Sequence, residues 1–407
     1  MGQKLISRTE FIALMAMLTA TVAFSIDAML PALDDIGRAL SPDDLNLAQL
    51  VITSFVFGLG VGTFVVGPLS DTFGRKNIVI AGAAIYIVGA LLAWIAPTLE
   101  LMIAARILQG IGAAAPRIVG LAIVRDLYEG REMARILSFI MLIFSLIPAF
   151  APAIGAVLMG ILGWRGIFPI FVVFILIVLA WMMLRLPESL PRDARRPLRA
   201  PALTLALKEV FTHRSVRLSV MVQTLCFAML FTALITTHSV YDVTFDREAQ
   251  FPLWFALTAV CAASASLINA ALVVRLGMQK MVRITLMVQI CISGVMVMAS
   301  MTDILPPLAY FALYVVWVTS VFFLAGMTIG NLNAIAMEPL GHIAGMAASA
   351  IGAVSTVGSV LIAIPIGQLF DGTPTYVAMG VLACATLAYL LMLRLRAVDE
   401  NIVSTKA

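Results

Sequence analysis

Twelve apolar stretches, each close to the roughly 20 residues a helix needs to cross a bilayer, leave this chain few ways to fold. They lie near 11–33, 47–69, 78–97, 101–124, 136–160, 167–185, 217–240, 252–274, 284–301, 307–330, 346–370 and 375–393. In hydrocarbon only a helix or a closed barrel satisfies its own backbone, and runs of this length suit helices. The composition of the whole chain agrees: 62% of its residues are hydrophobic and 12% charged, against about a quarter charged in a soluble domain. The expected fold is an all-α polytopic membrane protein with twelve transmembrane helices, and its standing partner is the lipid bilayer.

Lysine and arginine fall unevenly between these runs. One set of connections holds Lys4 and Arg8, Arg75 and Lys76, Arg125, Arg131 and Arg135, the bases from Arg185 to Arg217, Arg275, Lys280 and Arg283, and Arg394, Arg396 and Lys406. The other holds only Arg38, Arg165 and Arg247, beside acids such as Asp34, Asp35, Asp43, Asp44, Asp242 and Asp246. The positive-inside rule then predicts both termini in the cytoplasm; the expected location, separately, is a bacterial-type inner membrane. The first run carries Asp27 and lacks a small-residue cleavage site, so it is expected to be a retained helix and not a signal peptide. Residues 186–216, with Pro187, Pro191, Pro197 and Pro201, read as a cytoplasmic linker with a short surface helix near 202–212. It would join bundles 1–185 and 217–407. An internal repeat supports two pseudo-symmetric six-helix halves: Gly74–Val79 aligns with Gly277–Val282, which puts Val274 where the first half has Asp71.

A few polar residues stand out against this background. In Gly67-Pro-Leu-Ser-Asp71-Thr-Phe-Gly74-Arg75-Lys76, Gly67 and Pro68 are expected to end the second helix and Gly74 to allow a tight turn. Asp27 lies inside the first run. A carboxyl there is costly as an anion and usually faces a water-filled cavity, which makes it the candidate proton carrier. Arg106 and Gln109 are three residues apart in the fourth run and share a face. Gly110, Gly112 and three alanines beside them invite close helix packing. The guanidinium needs a partner, with Asp27, a substrate or helix carbonyls as candidates. Arg117, deep in the same run, closer to the cytoplasm and on a similar side, is left between structural pairing and a role at the inner mouth of a cavity. Pro148, Pro152 and Gly155 mark the fifth run as a hinge or a tight seal. In the second half Gln223, Thr224, Asn269, Gln289 and Ser293 are expected to join helices to one another, and 331–346 to form a weakly charged connection. Coupling chemistry should therefore sit in the first half.

Other classes of chemistry find little support. The sequence has no Walker motif and no GxSxG, so neither ATP-driven transport nor a serine hydrolase is indicated. His238 and Asp242 are four residues apart, but no metal-ligand cluster surrounds them, and the four cysteines read as small apolar packers. No enzyme activity, cofactor, metal or nucleic acid is expected, and the chain should act as a monomer.

These residues together give a resemblance to the major facilitator superfamily, and within it to twelve-span drug:proton antiporters. Gly67–Lys76 resembles the signature between spans two and three. Arg106-Ile-Leu-Gln109-Gly110-Ile-Gly112 resembles the fourth-span motif that ends at Arg125-Asp126. Ala151-Pro152-Ala-Ile-Gly155-Ala is similar to the fifth-span antiporter motif, with alanines at 151 and 156 in place of glycines. Asp27-Ala-Met-Leu-Pro31 and Ala344–Ala350 are similar to segments of the bicyclomycin-resistance branch. The resemblance implies alternating access, the two halves rocking about a central cavity, with Asp71, Gly74, Arg75, Arg125 and Asp126 acting as a gating latch. The expected function is export of small lipophilic drugs or toxic compounds, driven by a proton gradient. Asp27 and Arg106 would couple the proton, and Phe24, Met29 and Gln109 would line the substrate cavity. A dedicated exporter or symporter of one metabolite is the alternative; a transport-inactive receptor or assembly factor is the alternative of another class.

Overall fold

The structure, a computed structural model, describes residues 6–195, 208, 211–302 and 304–406. Among these residues every regular element is helical, and twelve segments are long and apolar enough to cross a membrane. The chain forms two compact units, Met1–Arg199 and Ala200–Ala407. The first holds α1 (Arg8–Leu40), α2 (Leu45–Phe73), α3 (Arg75–Ile95), α4 (Leu99–Leu127), α5 (Gly130–Leu162) and α6 (Trp164–Arg185). The second holds α7 (Arg214–Thr244), α8 (Glu248–Leu276), α9 (Met278–Thr302), α10 (Pro307–Leu340), α11 (Gly345–Gln368) and α12 (Thr375–Leu395). Large apolar side chains point outward, as Leu184 (83% exposed) and Ile161 (73%) do. In water such a surface would aggregate; in lipid it is the expected one. The surface helix predicted near 202–212 lies outside the described residues, apart from Lys208, Phe211 and Thr212, as do Lys4, Arg196 and Arg199.

Two expectations about helix ends need correction. Gly67 and Pro68 do not end α2; the helix continues through them to Phe73. Pro68 has no N–H for the Phe64 carbonyl, and the helix carries that one lost bond; beside it the Ser70 and Thr72 hydroxyls donate to the carbonyls of Gly67 (2.9 Å) and Pro68 (3.1 Å). The break falls on a single residue, Gly74, with φ 96° and ψ 153°. Gly277 repeats this between α8 and α9 with φ 79° and ψ 152°, so the two aligned glycines make the same turn, which side chains rarely tolerate. The connection expected at 331–346 begins only at Glu338, where the 3-10 turn Glu338–Ile343 kinks at Leu340. The α-helix of α10 runs on to Met337, and Asn331 is buried in it. Its amide donates to Asn269 Oδ1 at 2.7 Å and to the Met327 carbonyl at 2.9 Å, so the polarity that suggested a connection is satisfied between two helices.

Glycine sets the packing of the first unit. A Cβ at Gly110 would lie 2.0 Å from the Phe55 carbonyl of α2, and one at Gly58 would lie 2.1 Å from the Ile107 carbonyl of α4. Gly112 meets the Tyr86 nitrogen of α3 in the same way, at 2.3 Å. Backbones this close leave no room for larger residues, and α4 is thereby wedged between α2 and α3. The second unit has a different core. Tyr241, Phe251, Phe311, Tyr314 and Trp317 form a chain of edge-on and tilted rings around a π-helical turn at Val240–Thr244. Ser293 accepts from Trp317 Nε1 at 3.0 Å and from Gln289 Nε2 at 3.0 Å.

Candidate functional site

The polar centre of the first unit is built on a broken helix. The α-helical part of α1 ends at Asp27, and Met29 N–H turns to the Ile26 carbonyl at 3.2 Å instead of to Ser25. Pro31, having no N–H, cannot bond to the Asp27 carbonyl. The Ser25 carbonyl is thus left free inside the bundle, and Arg106 takes it: Nη2 donates to Ser25 O at 3.0 Å, Nε to Val51 O at 3.0 Å and Nη1 to Gln109 Oε1 at 2.7 Å. Arg106 is wholly buried, with its guanidinium 4.4 Å from the ring centroid of Phe55. The Ser25 hydroxyl donates to the Thr21 carbonyl at 2.6 Å and lies 2.6 Å from the hydroxyl of buried Tyr86. One cation therefore joins α1, α2 and α4, and Ser25 extends the set to α3. Of the three partners considered for Arg106, helix carbonyls are the ones it has here; it does not pair with Asp27.

Asp27 itself is 4% exposed, and among the described residues no hydrogen bond or ion pair reaches its carboxyl. A charge there would be uncompensated. The backbone just beyond it is gripped from α5: a Cβ on Gly155 would stand 2.2 Å from the Ala28 carbonyl. The α5 helix is continuous through Pro148 and Pro152, so the fifth span presses on the break of α1 at this point. Met29 and Gln109 are fully buried, and Gln109 Nε2 has no partner among the described residues. Phe24 is turned toward α6, 5.3 Å from the rings of both Phe171 and Phe174. The three residues expected to line a cavity are thus packed into the unit.

The second cluster lies where α2 meets α3. Arg75 forms a two-pronged pair with Asp126 (Nε to Oδ2 2.8 Å, Nη2 to Oδ1 3.2 Å), and its Nη1 donates to Asp71 Oδ1 at 2.6 Å and Ser70 Oγ at 2.7 Å. Arg125, expected among these groups, is exposed and takes no part in them. Glu188 was missed: its Oε1 and Oε2 accept from the backbone N–H groups of Arg75 (2.9 Å) and Lys76 (3.2 Å), an anion on the N-terminus of α3. Ser189 donates to Asp126 Oδ2 at 2.9 Å, and Lys76 Nζ to the Leu186 carbonyl at 2.7 Å. An acid just past a span end amid many bases was the available signal for Glu188. Ser25 and Tyr86 offered less, since isolated hydroxyls are common in apolar helices.

Comparison with known proteins gives the family and the fold. Residues 12–364 match the family description "Major Facilitator Superfamily". A bicyclomycin resistance protein homolog of Haemophilus influenzae is 28% identical over 394 residues, 93% of this chain and 94% of that protein. The multidrug resistance protein MdtL of Shigella dysenteriae is 31% identical over 166 residues, 41% of this chain and 42% of the relative. The fold is similar to the xylose transporter XylE of E. coli in a partially occluded inward-open conformation. The TM-score is 0.73 at 13% identity, with 95% of this chain and 97% of that one covered. With twelve apolar helices and a family match over most of its length, the chain is a multi-pass membrane protein of the major facilitator superfamily.

Proposed function

We propose that this protein is a proton-coupled antiporter that exports small lipophilic drugs or toxic compounds from the cytoplasm by alternating access. It works without enzyme chemistry or a cofactor, as a monomer in a bacterial inner membrane, with both termini cytoplasmic. The observation that carries this reading is Asp27: a carboxyl buried at a helix break, with no counter-charge among the described residues, two residues past the Ser25 carbonyl that Arg106 holds. Such a group can hold a proton in one conformation and release it in another, once its surroundings admit water or a partner. The names of the relatives, bicyclomycin and multidrug resistance, favour drugs as cargo. One charge moving down the membrane potential releases about 2.3 kcal/mol per 100 mV, enough to concentrate a substrate nearly fiftyfold.

In this mechanism the pressure of Gly155 on Ala28 transmits movement of α5 to the Asp27 turn. The Arg75–Asp126–Asp71 cluster then sets how readily that end of the unit opens. The test is a direct efflux assay with chemically diverse compounds, with and without a proton uncoupler. Export of several unrelated lipophilic compounds that collapses with the uncoupler is the expected result. Export that is indifferent to the uncoupler would refute the coupling.

A further inference from the structure

Among the described residues, only three Asp, Glu, Lys or Arg side chains lie seven or more residues from either end of a span: Asp27, Arg106 and Arg117. Arg106 is satisfied by two carbonyls and an amide. Arg117 is not. It is partly exposed, and among the described residues no hydrogen bond, ion pair or aromatic ring engages its guanidinium. A guanidinium cannot shed its charge to relieve this, so its presence at that depth asks for a compensating group.

The neighbouring helices do not offer one. Gly110, seven residues earlier and so on nearly the same side of α4, faces Phe55 of α2; Gly120, one turn later, faces Leu18 of α1 at 3.6 Å. Arg117 therefore stands at the level of Thr21, whose hydroxyl already donates to the Met17 carbonyl at 3.3 Å. Asp27 is six residues further along α1, about 9 Å by helical rise, and Asp126 nine residues further along α4, about 14 Å. Asp126 is held by Arg75, and on the near end of α1 Glu10 is held by Arg185 at 2.6 Å. On α5, Glu132 pairs with Arg8 and the cation Arg135 leans on Phe139. The deep interior thus holds two cations and one acid, and the unmatched cation is open enough to be reached.

We propose that Arg117 anchors a substrate-binding site, and that the compounds recognised there carry a carboxylate on an apolar body. Guanidinium and carboxylate form the two-pronged, charge-assisted pair that compensates both ions at this depth. This rests on the transport reading and adds a substrate class to it: acidic lipophilic compounds.

The test uses the full-length protein purified in detergent, with equilibrium binding of a naphthoate and of the matching naphthamide, which share a shape and differ in charge. The wild type should bind the naphthoate at least about tenfold more tightly, the scale of one charged hydrogen-bonded contact. Arg117→Gln should bring the two within about twofold by weakening the naphthoate alone, with unchanged naphthamide binding showing that the variant is folded. Arg117→Lys, which keeps the charge but not the fork, should retain part of the preference and stands in if the glutamine variant cannot be purified. Equal affinity of the wild type for both compounds, or a preference that survives Arg117→Gln or is undiminished in Arg117→Lys, would overturn the proposal. Binding in micelles needs no gradient. A wild type that binds the naphthoate but exports nothing from vesicles would therefore count against export and not against Arg117.

Discussion

A guanidinium with three acceptors on three helices cannot be replaced by another cation. Lysine at 106 would bring its charge to a point, without the planar fork that reaches Ser25 O, Val51 O and Gln109 Oε1 together. Arg106→Lys should therefore lower stability by roughly 2–4 kcal/mol, measured as detergent-solubilised unfolding, and abolish export. Near-wild-type stability would mean that the charge matters and the fork does not. At this scale the sequence was informative about which residues stand apart: Asp27, Arg106 and Gln109 are rare polar groups in apolar runs, and the spacing of the last two put them on one face, though their bond was not foreseen. Their partners were not legible. Ser25 offers its carbonyl only because the backbone turns at Ala28 and Met29, and a turn of that kind leaves no mark in the pattern beyond Pro31.

Among the elements, α5 and the α2–α3 junction are those whose contacts suggest movement. Gly155 sits on the Ala28 carbonyl with no space for a side chain, so Gly155→Leu should force α1 and α5 apart at the Asp27 turn. The expected outcome is a loss of export of at least about tenfold, with destabilisation on the order of 3 kcal/mol. A variant with full activity would show that this contact is only packing. At the junction, Asp71 is 45% exposed, and Arg75 keeps Asp126 and Ser70 without it. Asp71→Asn should cost less than about 1 kcal/mol of stability, slow turnover several-fold and leave substrate affinity within about twofold. Lost affinity would contradict a gating role. Gly74 was readable as a turn because nothing else suits φ 96°, and Gly277 followed from the repeat. The continuation of α2 past Pro68 was not readable, because a helix held by its neighbours can carry the one backbone bond a proline costs, which propensity does not register.

For the whole molecule the twelve spans were legible because a bilayer imposes a length and a composition on every one of them, and the helices differ from expectation mainly in running past their apolar cores. Alpha-helical pieces such as Asn331–Met337 were missed for the same reason: polarity inside a span looks like a loop until its partner, here Asn269, is known. The site was legible in part, since burial singles out residues but their mutual contacts depend on backbone approach set by glycines on three helices. The central claim is that Asp27 carries the proton, and one measurement bears on it directly. In proteoliposomes, Asp27→Asn should abolish substrate transport driven by an imposed pH gradient while retaining substrate exchange in the absence of a gradient, because the variant can still change conformation but cannot load or release a proton. Gradient-driven transport by Asp27→Asn at the wild-type rate would contradict the account.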